Sequence, residues 1–284
     1  MKFYTLRVDE IKKILRNNKL SVLGNKSELL ERLSFFENDS IENKNSLIDS
    51  FKLESHDVVT VVILSWKRVD NIYAILDVYE RMDIVNEIII WNNNSNEDLI
   101  GTSKTKIINS SEDMGMRTRF LAGILSKNEC IIFHDDDTLL PQRTIKGLYI
   151  EWAENPDIMH GLWGCVPKED GSYSQYLEPP SEAKMIIGRC MVLKRIYCSE
   201  FFLIERDFPA PKDHSALNGC EDILMSYLIM SLTGKMNRCH PYKYLDLPYE
   251  NAICRRPNHY EQRTQFMKKC EIWLEEIETK PRKN

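Results

Sequence analysis

Four short apolar runs, spaced by helical patterns and each followed by polar residues, constrain this chain more than any other feature. Val58 to Ser65 is a nearly unbroken β-branched stretch, the composition of a strand buried on both faces. Ile88-Ile89-Ile90-Trp91, Lys106-Ile107-Ile108 and Cys130-Ile131-Ile132-Phe133 read as further strands. Asp70 caps a helical pattern that reaches Tyr79. Arg117 to Leu125 reads as a helix, and Pro141 opens another that runs to about Trp152. Strand–helix alternation of this kind predicts an α/β fold with a mainly parallel open sheet and helices on both faces. Ligands of such sheets sit at the carboxyl ends of the strands. The polar punctuation falls there: Lys67-Arg68, Asn92-Asn93-Asn94 and Asp135-Asp136-Asp137.

The aspartate triplet carries the most chemistry. Carboxylates repel one another and are poor strand residues, so three at a strand's end need positive charge. A hard divalent cation that bridges to phosphate oxygens answers that need. A solvated acidic turn before the helix at Pro141 answers it too. His134, beside the triplet, reads as a satisfied structural histidine. His160, His214, His240 and His259 are spread along the chain and define no common metal site.

Beyond residue 155 the alternation fades. Met185 to Ile187 and Cys190 to Leu193 read as strands. Glu221-Asp222 begins a strongly apolar helix ended by Gly234, and His259 to Ile277 reads as an amphipathic helix. Acids in a first turn also favour the helix dipole, which alone accounts for the Glu221-Asp222 pair. Trp66, Trp91, Trp152 and Trp163 read as core, although Trp163 has a loop-like context. Asp170-Gly171 is a turn signal that fits an acceptor loop.

With 284 residues, 43% hydrophobic and 29% charged, the chain suits one sizeable domain and a small one. No segment reaches the roughly 18 apolar residues that span a bilayer. The first residues lack an apolar signal core, so the expected location is the cytoplasm, or the cytoplasm or nucleus of a host cell. The eight cysteines form no CxxC pair and read as reduced thiols rather than zinc ligands.

Charge is uneven. Residues 1–36 carry eight Lys or Arg against four Asp or Glu, a net +4 that leaves −9 on the rest. Val8, Ile11, Ile14 and Leu15 recur at helical spacing, and Ser27 caps a second pattern through Leu29, Leu30 and Leu33. This layout resembles a SAP domain. The resemblance implies nucleic-acid binding, with Lys12, Lys13, Arg16, Lys19 and Lys26 facing phosphates. A solvated hairpin that merely docks on the main domain fits the same residues. The expected organisation is a SAP-like module over 1–36, a polar linker over 37–56 and a large domain over 57–284.

The large domain is similar to the exostosin-like glycosyltransferases, which have the GT-A nucleotide-sugar fold. The matching stretches are Val61 to Arg68, Ile88 to Asn93, Arg119-Phe120, Asp135-Asp136-Asp137, Asn218 to Met225 and His259 to Arg263. The resemblance implies a UDP-sugar donor and Mn²⁺ (or Mg²⁺). Arg68, Asn92, Asn93 and Arg119 would hold the nucleotide, Asp135 and Asp136 the ribose or sugar, and Asp137 the metal. Asp222 would lie beside the reacting carbon, with Glu221 the alternate carboxylate, and Arg263 would stabilise the departing diphosphate. It also implies retention of anomeric configuration. The chain departs from the family at Gly219, an extra residue, and at Asp113 to Thr118, where the family is Asn-rich.

These readings together predict a hexosyl- or N-acetylhexosaminyl-transferase brought to nucleic acid by its basic module. The expected acceptor is a hydroxymethylated base in viral or phage DNA, with no membrane partner. A protein or glycan acceptor is the second reading. A nucleic-acid adaptor on an inactive transferase fold is the third. Oligomeric state is not legible.

Overall fold

The computed structural model describes residues 7–17, 48, 54–94, 96–208, 219–247 and 256–279. In chain order the elements are α1 (Val8–Asn17), β1 (Val59–Ser65), α2 (Val69–Tyr79), β2 (Val85–Asn92), β3 (Thr105–Asn109), α3 (Thr118–Ile124) and β4 (Cys130–Asp135). Then come β5 (Thr138–Leu139), α4 (Gln142–Glu154), β6 (His160–Gly161), β7 (Gly164–Val166), β8 (Gln175–Tyr176), β9 (Ser181–Ala183), β10 (Met185–Ile186) and β11 (Cys190–Lys194). Last are α5 (Arg195–Asp207), α6 (Glu221–Thr233), β12 (Asn237–Cys239), β13 (Leu245–Asp246) and α7 (His259–Thr279).

The main sheet has eight strands in the order β3-β2-β1-β4-β11-β6-β12-β9. Its first half is parallel, as the β-branched runs predict. β11 then runs antiparallel to both β4 and β6, and β9 antiparallel to β12. Register brings the polar punctuation to one edge. Ser65 pairs with Asn92, Asn92 with Asn109, and Leu64 with Asp135.

Alternate residues of the parallel strands enter opposite cores, as the two-residue strand period requires. Val61, Ile63, Ile88, Ile90 and Ile132 pack with Ile72, Ile75, Tyr79, Ile145 and Leu148 of α2 and α4. Val62, Ile89, Ile131 and Phe133 pack with Phe120, Phe201, Leu224, Leu228 and Met267 of α3, α5, α6 and α7. Burying each of these large apolar side chains contributes roughly 1.5–3 kcal/mol.

Asp70 is not a cap: α2 starts one residue earlier, after Arg68, with no side-chain capping bond, and Asp70 occupies its first turn. Gly234 does end α6, in the left-handed conformation at φ 68°. The tryptophans are only partly buried, and Trp66 sits on a cavity wall rather than in the core. The histidines are less dispersed than their numbering. His160 Nδ1 lies 2.9 Å from His240 Nε2 with the rings stacked, yet no group of three His, Cys, Asp or Glu poised for a metal occurs among the described residues. Seven of the eight cysteines fall in the described part, all buried free thiols.

Of the N-terminal module, the described residues cover α1. Ile11 is fully buried in the first core cluster, and α1 packs against β13. Lys12 and Lys13 are half-buried and Arg16 is exposed. Lys19 and Lys26 lie outside the described residues. No described helix is long and apolar enough to cross a membrane.

Candidate active site

At the carboxyl edge of β1, β2 and β4 lies a cavity of about 520 Å³. It gathers side chains from across the chain. Arg68, Asn93, Arg119, the three aspartates, Glu221, Asp222 and Arg263 all line it. Asn92 does not. Its amide donates to Glu97 O at 2.7 Å and to Asn109 Oδ1 at 3.0 Å, and its carbonyl accepts from Asn94 N. Asn92 is therefore spent on stapling the loop after β2. Asn93 is anchored too: its Oδ1 accepts from Trp91 Nε1 and Met114 N, and its Nδ2 donates to Gly115 O. It fixes the 113–116 loop at the cavity rim.

The triplet is held by arginines. Arg68 donates to Asp136 and lies 3.3 Å from Asp137 Oδ2. Arg119 is buried beneath the site. Its Nη2 donates to Asp135 Oδ1 at 2.9 Å, its Nη1 to Gly188 O at 2.6 Å, and its Nε is 3.6 Å from Glu221 Oε1. One guanidinium so joins the end of β4 to the start of α6. Burial pushes the Asp136 carboxyl up to about 7 against the pull of Arg68. Burial, then the neighbouring Asp135, also raises Asp137 despite Arg68 and Arg189.

Opposite lies a second cluster. Asp222 Oδ2 accepts from Gly188 N at 2.9 Å and from Arg263 Nη2 at 2.9 Å. Arg263 also donates to Gly219 O and, at 2.6 Å, to Tyr173 Oη, with its guanidinium 4.5 Å from that ring's centre. Glu221 and Asp222 are both buried, and burial raises the Glu221 pKa. Adjacent residues on a helix do not share a face. Glu221 accordingly turns to Arg119 and Asp222 to Arg263. Glu221 Oε2 and Arg119 Nε have no hydrogen-bond partner, so the floor of the cavity keeps polar atoms unsatisfied.

Several residues here were not legible from sequence. Arg189 donates to Thr138 Oγ1 at 3.0 Å, pairs with Asp246, and sits 4.6 Å from the Trp163 ring centre and 4.9 Å from that of Tyr244. Tyr173 bonds directly to Arg263, and Gly188 to Asp222. Their partners lie 34 to 90 residues away, beyond any local pattern. His134 is structural, as expected: Tyr79 Oη lies 2.9 Å from its Nε2 and Asp135 O 2.9 Å from its Nδ1.

Parallel strands whose carboxyl ends gather carboxylates and arginines around one cleft place the cavity where open α/β sheets bind their ligands. A solved structure of the GT-A type, "Crystal structure of GalNAc-T7 with UDP, GalNAc and Mn2+", superposes with a TM-score of 0.54 at 11% identity, over 78% of this chain and 50% of that one, a likeness of fold alone. The profile of the Glycosyl transferase family 64 domain matches residues 59–280, and the chain belongs to that family. A SAP domain profile matches residues 5–34. Relatives include Glycosyltransferase family protein 64 C3 of Arabidopsis thaliana, 24% identical over 62% of this chain and 59% of its own length. The Exostosin-like-3 homolog of Caenorhabditis elegans is 26% identical over 62% of this chain and 22% of its own length. Exostosin-2 of Homo sapiens is 23% identical over 68% and 28%. The chain thus spans less than two thirds of each of these relatives.

Proposed function

We propose that this chain is a glycosyltransferase that takes a UDP-sugar as donor, works with a divalent metal and retains anomeric configuration. The carrying observation is the convergence of three arginine–carboxylate sets on one cavity: Arg68 with Asp136 and Asp137, Arg119 with Asp135 and Glu221, Arg263 with Asp222.

The donor set fits a metal. Asp135 and Asp137 offer oxygen ligands at the cavity, and diphosphate oxygens would complete a hard cation's shell. Bound Mn²⁺ or Mg²⁺, held through Asp137, would supply Lewis-acid stabilisation of the diphosphate. The chain's own residues do the rest. Arg68 and Asn93 shape the nucleotide end. Arg119 fixes Asp135 and Glu221. Arg263 puts fixed positive charge beside Asp222, where a leaving diphosphate develops negative charge. The Asp222 carboxylate faces the reacting carbon and stabilises an oxocarbenium-like sugar.

The acceptor we favour is a hydroxymethylated base in DNA, such as viral or phage DNA, delivered through the SAP domain. The domain organisation we propose is that module over 1–36, a linker over 37–56 and the transferase over 57–284. The test is transfer of labelled sugar from a panel of UDP-sugars, with Mn²⁺, to hydroxymethylated DNA, protein and glycan acceptors. Transfer to DNA supports the reading. Transfer restricted to protein or glycan would retain the enzyme and reject the acceptor. Nucleic-acid binding without any donor turnover would favour a non-catalytic adaptor.

A further inference from the structure

The hairpin that follows β7 turns at Asp170-Gly171 and returns as β8, the edge of a three-stranded sheet. It delivers Tyr173 and Tyr176 to the cavity. The first turn of α7 delivers Tyr260 and His259, and Arg256 precedes it. Tyr173 is spent on Arg263. Tyr176 and Tyr260 are different: they line the cavity and yet are 55% and 52% exposed. They share one lip. Tyr260 lies 6.4 Å from Tyr173 between ring centres, at 35° between planes.

The location decides what they face. Tyr260 is three residues before Arg263 on α7, and Tyr176 is three residues after Tyr173, which binds Arg263, so both rings belong to the Asp222–Arg263 end of the cavity. Two large aromatic faces left in water beside a reactive cluster are poor candidates for structural packing. Two cations line the same cavity: Arg256, which is exposed and four residues before Tyr260, and Lys67, which lies over the Trp66 ring.

Resting on the donor reading proposed above, we infer that Tyr176 and Tyr260 form an acceptor platform that stacks a nucleobase beside Asp222, with Arg256 meeting the adjoining phosphate. Aromatic stacking accepts any base because each has a π face, and a rim cation adds attraction for the backbone. A base within a duplex must leave the stack to reach this lip, so single-stranded or flipped-out bases are the form it takes.

The test is a titration of the full chain into a single-stranded DNA oligonucleotide carrying one 2-aminopurine, whose emission is quenched on stacking. Quenching is expected with the native chain and with Tyr176→Phe and Tyr260→Phe, which keep the ring. Tyr176→Ala and Tyr260→Ala should relieve it and weaken binding roughly tenfold or more. With a DNA acceptor, the same Ala variants should raise KM more than they lower kcat. Absence of quenching by the native chain, or Ala variants that bind as the native chain does, would overturn the inference. So would Ala variants that lose affinity for an oligosaccharide acceptor and keep it for the oligonucleotide. UDP affinity, measured by calorimetry on the same samples, reports on the donor reading independently.

Discussion

Arg119 shows how a single residue can serve structure and site together. Its side chain is nearly solvent-free, and it holds Asp135, Glu221 and Gly188 O at once. Removing one partner of a buried ionic set leaves charge unpaired, at about 3–5 kcal/mol. Arg119→Ala should therefore lower unfolding free energy by about that much in urea titrations; a loss under ~1 kcal/mol would contradict the assigned network. Asp222→Asn is the converse case. An amide oxygen can still accept from Gly188 N and Arg263, so folding and UDP binding should persist while turnover falls at least about 100-fold. Retained turnover in a folded D222N protein would remove Asp222 from the chemistry. Residues in local motifs were readable in advance: the triplet, Arg68 and Glu221-Asp222 lie at strand ends or helix starts, whereas Arg263 came only through the family resemblance. Arg189 and Tyr173 were not, because their roles come from partners distant in sequence. Asn92 was readable as polar punctuation, and its purpose was not, since loop stapling and ligand binding use the same amide.

Elements repeat the lesson at larger scale. The parallel half of the sheet is legible because each strand, five to eight residues long, carries an apolar run, and helices follow β1 and β3. β6, β9 and β12 are two or three residues long, too short to carry a period, and they are set by packing instead. Gly161 in β6 is the clearest instance. A Cβ there would meet Ile186 Cγ2 at 2.2 Å and the Cys190 carbonyl oxygen at 2.5 Å. Gly161→Ala should cost about 1–3 kcal/mol or more, read as a lower urea midpoint; a midpoint matching the native chain would show that β6 gives way freely. His160 adjoins it. Burial, chiefly, lowers its pKa to about 4, so between the ordinary histidine value near 6.5 and about 4 the unfolded chain takes up a proton that the folded one refuses. Stability should accordingly fall as pH drops through that window and be restored above it. His160→Gln should flatten the acid limb, leaving the share due to His134, whose pKa burial also lowers to about 4.

At the scale of the whole molecule, the N-terminal helix is tied to the sheet edge that carries the aspartate triplet. α1 buries Ile11 against β13, β13 pairs with β5 immediately after the triplet, and Leu247 N donates to Asp137 O at 2.8 Å. The sequence announced a basic module through its charge and left docking on the large domain open; it did not single out the residue that makes the contact, because Ile11 looks the same in either setting. Ile11→Asp should undock α1 and weaken DNA binding at low salt, and native binding should fall steeply as salt rises. Salt-insensitive binding would contradict phosphate contacts by Lys12, Lys13 and Arg16.

The central claim is that the Asp135–Asp137 edge receives the diphosphate of an activated sugar through a divalent ion. Titration calorimetry of UDP into the folded chain, with and without Mn²⁺, tests it most directly. Saturable binding that needs Mn²⁺ and is lost in Asp137→Ala is the predicted result. Folded protein that takes up no UDP at saturating Mn²⁺, or binds it equally well after Asp137→Ala, would contradict the account.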